Sequence, residues 1–147
     1  FPGAKPFVEA APSAVPVAIA SGAHRHEIEE IVRGAGIDHL FSTIVGAGDT
    51  PEGKPSPQPY RLAFEKLRDV TGKDLQPHRT VAIEDSRWGL DSARGAGLRC
   101  VGVTTSYTAR ELPGAELLVE SLAALTVDAL EHLVAEALAS PSGLPRV

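Results

Sequence analysis

Apolar residues occur along this chain in two patterns. Five short runs are nearly unbroken: Val15 to Ala20 (VPVAIA), Phe41 to Ala47 (FSTIVGA), Thr80 to Asp85 (TVAIED), Arg99 to Thr105 (RCVGVTT) and the shorter Glu116 to Leu122 (ELLVESL). Their length and β-branched content predict buried strands. Between them, apolar residues recur at helical spacing. Ile28, Ile31, Val32 and Ala35 share one face opposite Glu27, Glu29, Glu30 and Arg33, and Gly36 ends that helix. Tyr60, Phe64 and Leu67 mark a longer helix from about Pro57 to Val70, and SRWGLDSARGAG predicts another, stopped by Gly97. From Thr126 onward Leu130, Leu133, Val134, Ala137 and Leu138 form a stripe opposite Asp128, Glu131 and Glu136, with a loose tail at 140–147. A short helix opened by Pro2 and closed by Pro12 precedes the first strand.

Strands that alternate with helices and are apolar on both faces predict an α/β fold. Its parallel sheet is covered by helices on both sides, in three layers. In such sheets ligands bind outside the carboxyl ends of the strands. The polar residues that follow the runs therefore carry the candidate chemistry: Ser21-Gly22, Asp49 to Lys54, Glu84-Asp85 and Thr104-Thr105.

The segment GDTPEGKPSP, Gly48 to Pro57, has the glycine and lysine spacing of a phosphate-binding P-loop. Pro55 stands where that loop needs a hydroxyl for magnesium. It also turns Lys54 away from helical dihedrals, because the proline ring crowds the preceding backbone. Lys54 is thus expected in extended backbone, with the helix starting later, capped by Ser56 with Pro57 at its first position. What remains is a lysine held stiffly at the sheet edge, against the alternative of a solvated loop lysine. Glu84 and Asp85 at a strand mouth suit a hard cation, against the alternative of capping the next helix. Ser21, with the Gly22 amide behind it, offers a hydroxyl and a backbone donor to an anion, against a plain helix cap.

Composition narrows the partners. The 147 residues, 43% hydrophobic and 22% charged, suit one globular domain. A net charge of -5 and few aromatic residues argue against a nucleic-acid surface. No apolar run reaches the roughly 18 residues of a membrane span, so a cytoplasmic protein is expected. Cys100, the single cysteine, falls in a strand and predicts a buried, inert thiol. The chain begins with Phe1 and holds no methionine, which predicts that the numbering does not begin at the natural start.

Together VAIASGA, GKPSPQPY and VAIEDSRWGLDSARGAG resemble, in order, the motifs of the haloacid dehalogenase-like phosphohydrolases. The branch they resemble contains β-phosphoglucomutase and phosphoglycolate phosphatase. FPGAKPFVEAA is similar to the helix before the serine strand in that branch, and the resemblance runs from Phe1 to about Leu125. It implies a Rossmann-like α/β/α core and a magnesium-dependent phosphatase acting on a small phosphorylated metabolite through an aspartyl-phosphate. Under it, Ser21 and the Gly22 amide bind the transferring phosphoryl group, Lys54 neutralises charge on that group and on the nucleophile, and Asp85 with Glu84 holds Mg2+. A phosphomutase, or a non-catalytic phosphate- and metal-binding module, are the alternatives. The family's nucleophile is the first aspartate of Asp-x-Asp on its first, central strand, and no Asp-x-Asp occurs in this sequence. The single domain at 1–147 is therefore expected to lack that strand and the substrate-selecting cap. An N-terminal segment or a second chain would complete the sheet.

Five other positions carry weaker signals. In HRHE, His24 and His26 lie two apart and are not expected to face each other over a metal. His24 or Arg25 could instead reach a substrate's distal anionic group. Asp49 could hold Lys54, and Trp88 is expected to pack rather than to line the mouth.

Overall fold

A computed structural model describes residues 3–11 and 14–139. Pro2, Pro12 and the tail at 140–147, like the side chains of Ala137 and Leu138, lie outside the described residues. The chain order is α1 (Ala4–Ala10), β1 (Ala18–Ala20), α2 (Arg25–Gly34), β2 (Thr43–Val45), α3 (Gln58–Thr71), β3 (Val81–Glu84), α4 (Arg87–Gly95), β4 (Arg99–Val103), β5 (Leu117–Val119) and α5 (Val127–Ala139). Single turns of 3-10 helix lie in several connections.

Every strand pairing among the described residues is parallel, but the strands form two sheets, β1-β2 and β3-β4-β5. β1 and β3, the two strands that the family resemblance places on either side of its central strand, do not pair with each other. Alternation along the strands sorts the core into layers. Ala20, Ala82 and Cys100 pack with Tyr60 and Phe64 of α3 and Leu90 and Ala93 of α4. Val81, Ile83, Val101 and Val103 face the other way, onto Phe7 of α1 and Leu130 and Leu133 of α5. On that same side Ile19 and Ile44 meet Ile28 and Val32 of α2. The three layers follow from this division.

Three local expectations are corrected. The strands are shorter than their apolar runs, and all of β1 is only half-buried, because one of its edges has no strand beside it among the described residues. Ile31 is 70% exposed, while Ile28 and Val32 on the same helix are buried. The cap position of α3 is Pro57 rather than Ser56, although the Ser56 hydroxyl still accepts from the Gln58 amide at 3.3 Å.

Candidate active site

Lys54 links the two sheets. Its Nζ donates to the Ala20 carbonyl at the end of β1, 3.1 Å away, and to Oε1 of Glu84 at the end of β3. The loop that carries it is fixed from both sides. Ser92 of α4, fully buried, donates its hydroxyl to the Ser56 carbonyl at 2.6 Å, and Gly95 leaves the room that Pro57 fills. A short polar loop is thereby held against the core, and its lysine emerges at the carboxyl edge of the strands.

Glu84 is 7% exposed, which for a carboxylate demands partners. It has them: Oε1 accepts from Lys54 and also from the Tyr60 hydroxyl at 2.6 Å. The Lys54 Nζ also sits 5.1 Å from the centroid of the Tyr60 ring, within cation–π range. Burial first, and then the adjacent Glu84 carboxylate, push the Tyr60 phenol well above its usual range, so the ring stays a neutral donor.

Asp85 points elsewhere. Successive residues of a strand face opposite sides. Glu84 therefore joins the α3–α4 layer, and the Asp85 carboxylate accepts from the Ser106 hydroxyl at 3.0 Å. The two acids that adjacency suggested as a shared cation site thus diverge. Carboxylate oxygens suit a hard cation; magnesium takes about six oxygens, several of them from water, and is commonly held by one or two carboxylates. Asp85 has the chemistry of one such ligand, whereas Glu84 is taken up by Lys54 and Tyr60. Among the described residues no three His, Cys, Asp or Glu side chains gather as a metal-binding set, so these residues hold at most part of a magnesium site.

Ser21 continues the β1–β2 ladder by donating its amide to the Val45 carbonyl at 2.9 Å, while its hydroxyl accepts from the Ala23 amide at 3.1 Å. It is next in sequence to the Ala20 carbonyl that holds Lys54. Gly22 faces open space. Arg25 is engaged elsewhere: its guanidinium donates to Asp49 at 3.0 Å and to the Ile44 carbonyl at 2.7 Å. Asp49 therefore holds Arg25 rather than Lys54. Its carboxyl is lowered, chiefly by the Gly46 amide at 2.8 Å and also by Arg25. The imidazoles of His24 and His26 do stack, with centroids 5.8 Å apart, contrary to the helical-spacing argument. His24 precedes α2 in extended backbone, where that spacing does not apply. Trp88 is 53% exposed rather than packed.

The sequence reading missed Tyr60 and Ser106 as site residues. The Tyr60 ring fits an apolar stripe, yet a buried phenol needs a partner for its hydroxyl, and that is the available signal. Ser106, one residue beyond the strand-end threonines, carried none.

The fold and this edge define an α/β protein whose charged side chains converge at the carboxyl ends of two parallel sheets. The chain belongs to the haloacid dehalogenase-like hydrolases, whose family model matches residues 1–97. Protein CbbY of Cereibacter sphaeroides is 37% identical over 123 residues, covering 81% of this chain and 51% of that protein. Phosphoglycolate phosphatase of Neisseria meningitidis is 36% identical over 93 residues, covering 63% and 37%. A crystal structure of a CbbY variant from Rhodobacter sphaeroides in complex with xylulose-(1,5)bisphosphate superposes with a TM-score of 0.77 at 36% identity, covering 88% of this chain and 57% of that one. The chain thus spans about half the length of CbbY and less of the phosphatase. No helix among the described residues is long and apolar enough to cross a membrane.

Proposed function

We propose that this chain supplies part of the active site of a magnesium-dependent phosphatase acting on a small phosphorylated metabolite. The observation that carries the reading is the placement of Lys54, whose ammonium spans the carboxyl ends of β1 and β3. Phosphoryl transfer asks of the protein mainly positioning and charge stabilisation, and a compact cation fixed at a strand edge supplies both. In this reading the Ser21 hydroxyl and the Gly22 amide hold phosphoryl oxygens beside that ammonium. Asp85, with donors from outside the described residues, would hold magnesium, which would supply charge neutralisation on the transferring group, while Glu84 stays committed to Lys54 and Tyr60. The relatives named above support the substrate class, since one is a phosphatase and a CbbY structure contains a sugar bisphosphate.

The attacking carboxylate comes from outside these 147 residues, which contain no Asp-x-Asp. The expected result is therefore that the pure chain does not turn over p-nitrophenyl phosphate with magnesium. It should nonetheless bind inorganic phosphate, and Lys54→Ala should abolish that binding. Robust magnesium-dependent turnover by the pure chain would show that the nucleophile lies within it. If phosphate does not bind, or binds Lys54→Ala equally well, the phosphate site itself is wrong.

A further inference from the structure

We propose that Tyr60 and Gly89 are positioning residues: the Tyr60 hydroxyl and the open space at the Gly89 Cα seat the Glu84 carboxylate, and the seated carboxylate fixes the Lys54 ammonium. The phosphate role of Lys54 is taken from the function proposed above. The positioning itself rests on geometry alone.

Gly89 lies in the first turn of α4, directly over the end of β3. It is not among the glycines with positive φ, so its backbone does not call for glycine. Within a helix glycine is also a poorer choice than alanine. Space explains it. A Cβ built at this position would overlap the Glu84 side chain, and the three nearest atoms it would meet are the carboxyl carbon and both carboxylate oxygens of Glu84. The missing side chain is therefore the room in which that carboxylate lies.

Tyr60 supplies the direction. Its hydroxyl donates to the same Oε1 that receives Lys54, at 2.6 Å, from a ring that is 9% exposed. A neutral donor on that oxygen orients the carboxylate without competing for its charge. The lysine, which has a long flexible stem, is then held by three groups: Glu84, the Ala20 carbonyl and the Tyr60 ring face. α3, α4 and the ends of β1 and β3 thus all act on one ammonium group.

The test is an NMR measurement on the 15N-labelled 147-residue chain, reading the lysine ammonium signals directly. A hydrogen-bonded ammonium exchanges slowly with water and gives a distinct cross-peak; Lys54→Arg, which deletes it, makes the assignment. Tyr60→Phe keeps the ring and removes one hydroxyl. The expected result is that the Lys54 ammonium exchanges at least severalfold faster and moves toward the solvated lysines, while the thermal midpoint stays nearly constant. Gly89→Ala should do the same or more, although alanine is the better helix former. If Gly89 has no part in seating the carboxylate, helix propensity alone predicts the opposite, a more stable chain with an unmoved lysine signal, and that result overturns its role. Should Gly89→Ala fail to fold, Tyr60→Phe decides alone. The proposal is overturned if Tyr60→Phe leaves the Lys54 signal unchanged, or if the unaltered chain shows no slowly exchanging Lys54 ammonium. A second arm titrates inorganic phosphate into the unaltered chain. A signal moved by Tyr60→Phe but not by phosphate upholds the positioning and refutes the phosphate reading. The reverse pattern refutes the positioning alone.

Discussion

The two sheets of this molecule share one strand direction but differ in how they are held. In the β3-β4-β5 half β3 and β4 run to four and five residues, although β5 has only three, and Cys100, Val101 and Leu90 are fully buried. In the β1-β2 half each strand has three residues and none of β1 is buried. Both halves are nonetheless tied to α3, whose Tyr60 and Phe64 belong to the core of the larger half. Fully buried side chains are more numerous in the larger half, although Val45 of β2 is also fully buried, and the candidate site lies on the seam between the two. A lysine that must reach both sheet ends can be placed only where they meet, and there the strands give each other no hydrogen bonds.

The largest expected effect tests that division directly. Leu90 has no exposed surface, so Leu90→Ala removes a well-packed side chain and should cost about 3 kcal/mol. Ile19→Ala, in the half-buried β1, should cost less than half as much. Urea midpoints of the two variants make the comparison. Equal losses would mean that the two halves share one core.

A second test uses the single cysteine as a reporter on the larger half. Burial first, and then the Glu116 carboxylate, push the Cys100 thiol from 9.0 up to about 12. In the unfolded chain the thiol ionises near its ordinary value, whereas in the folded chain it keeps its proton. The stability tied to that proton is therefore complete below about pH 9 and declines as pH rises toward 12. Cys100→Ala should lower the neutral plateau by about 1 kcal/mol and make the alkaline decline shallower. A thiol reagent at mildly alkaline pH should modify the unaltered chain only as it unfolds. Rapid modification of the folded chain would show that β4 opens as easily as β1.

The layered order was legible because apolar runs and helical stripes report burial, and in this chain burial follows the α/β pattern closely. Edges and directions were not legible in the same way. VPVAIA reads as a six-residue buried strand, yet Val15 is 46% exposed and Pro16 has no amide to donate to a ladder. Helical spacing groups Ile31 with Ile28 and Val32. At about 100° per residue it lies some 60° off Ile28, on the side where nothing among the described residues covers it. Lys54, Glu84 and Ser21 were found from their positions after strands, because the carboxyl edge collects polar residues in any such sheet. Their partners were not found. Adjacency grouped Glu84 with Asp85, whereas strand alternation, equally readable in the sequence, sends them to different layers. The Tyr60 hydroxyl was hidden by the apolar ring that carries it.

The smallest expected effect belongs to the smaller half, where the loop after β2 is tied back to α2. Asp49 accepts from the Gly46 amide and from Arg25, and these partners hold its carboxyl below 3.8. A depressed carboxyl contributes stability above its unfolded value and loses it as pH falls through the folded one. Asp49→Asn keeps an oxygen for the Gly46 amide but removes the charge that faces Arg25, whose side chain is 43% exposed. At neutral pH the loss should be about 0.5 kcal/mol, the usual worth of a solvated ion pair. The loss should shrink in high salt and close only as pH falls through the lowered folded value, beneath 3.8, where the unaltered carboxyl also becomes neutral. Urea midpoints of the two chains at neutral and acid pH measure it. A gap that persists in acid would mean that Asp49 acts through the geometry of its hydrogen bonds. The β1-β2 half would then be fixed by backbone capture rather than by charge, leaving Lys54 as the ionic tie across the seam.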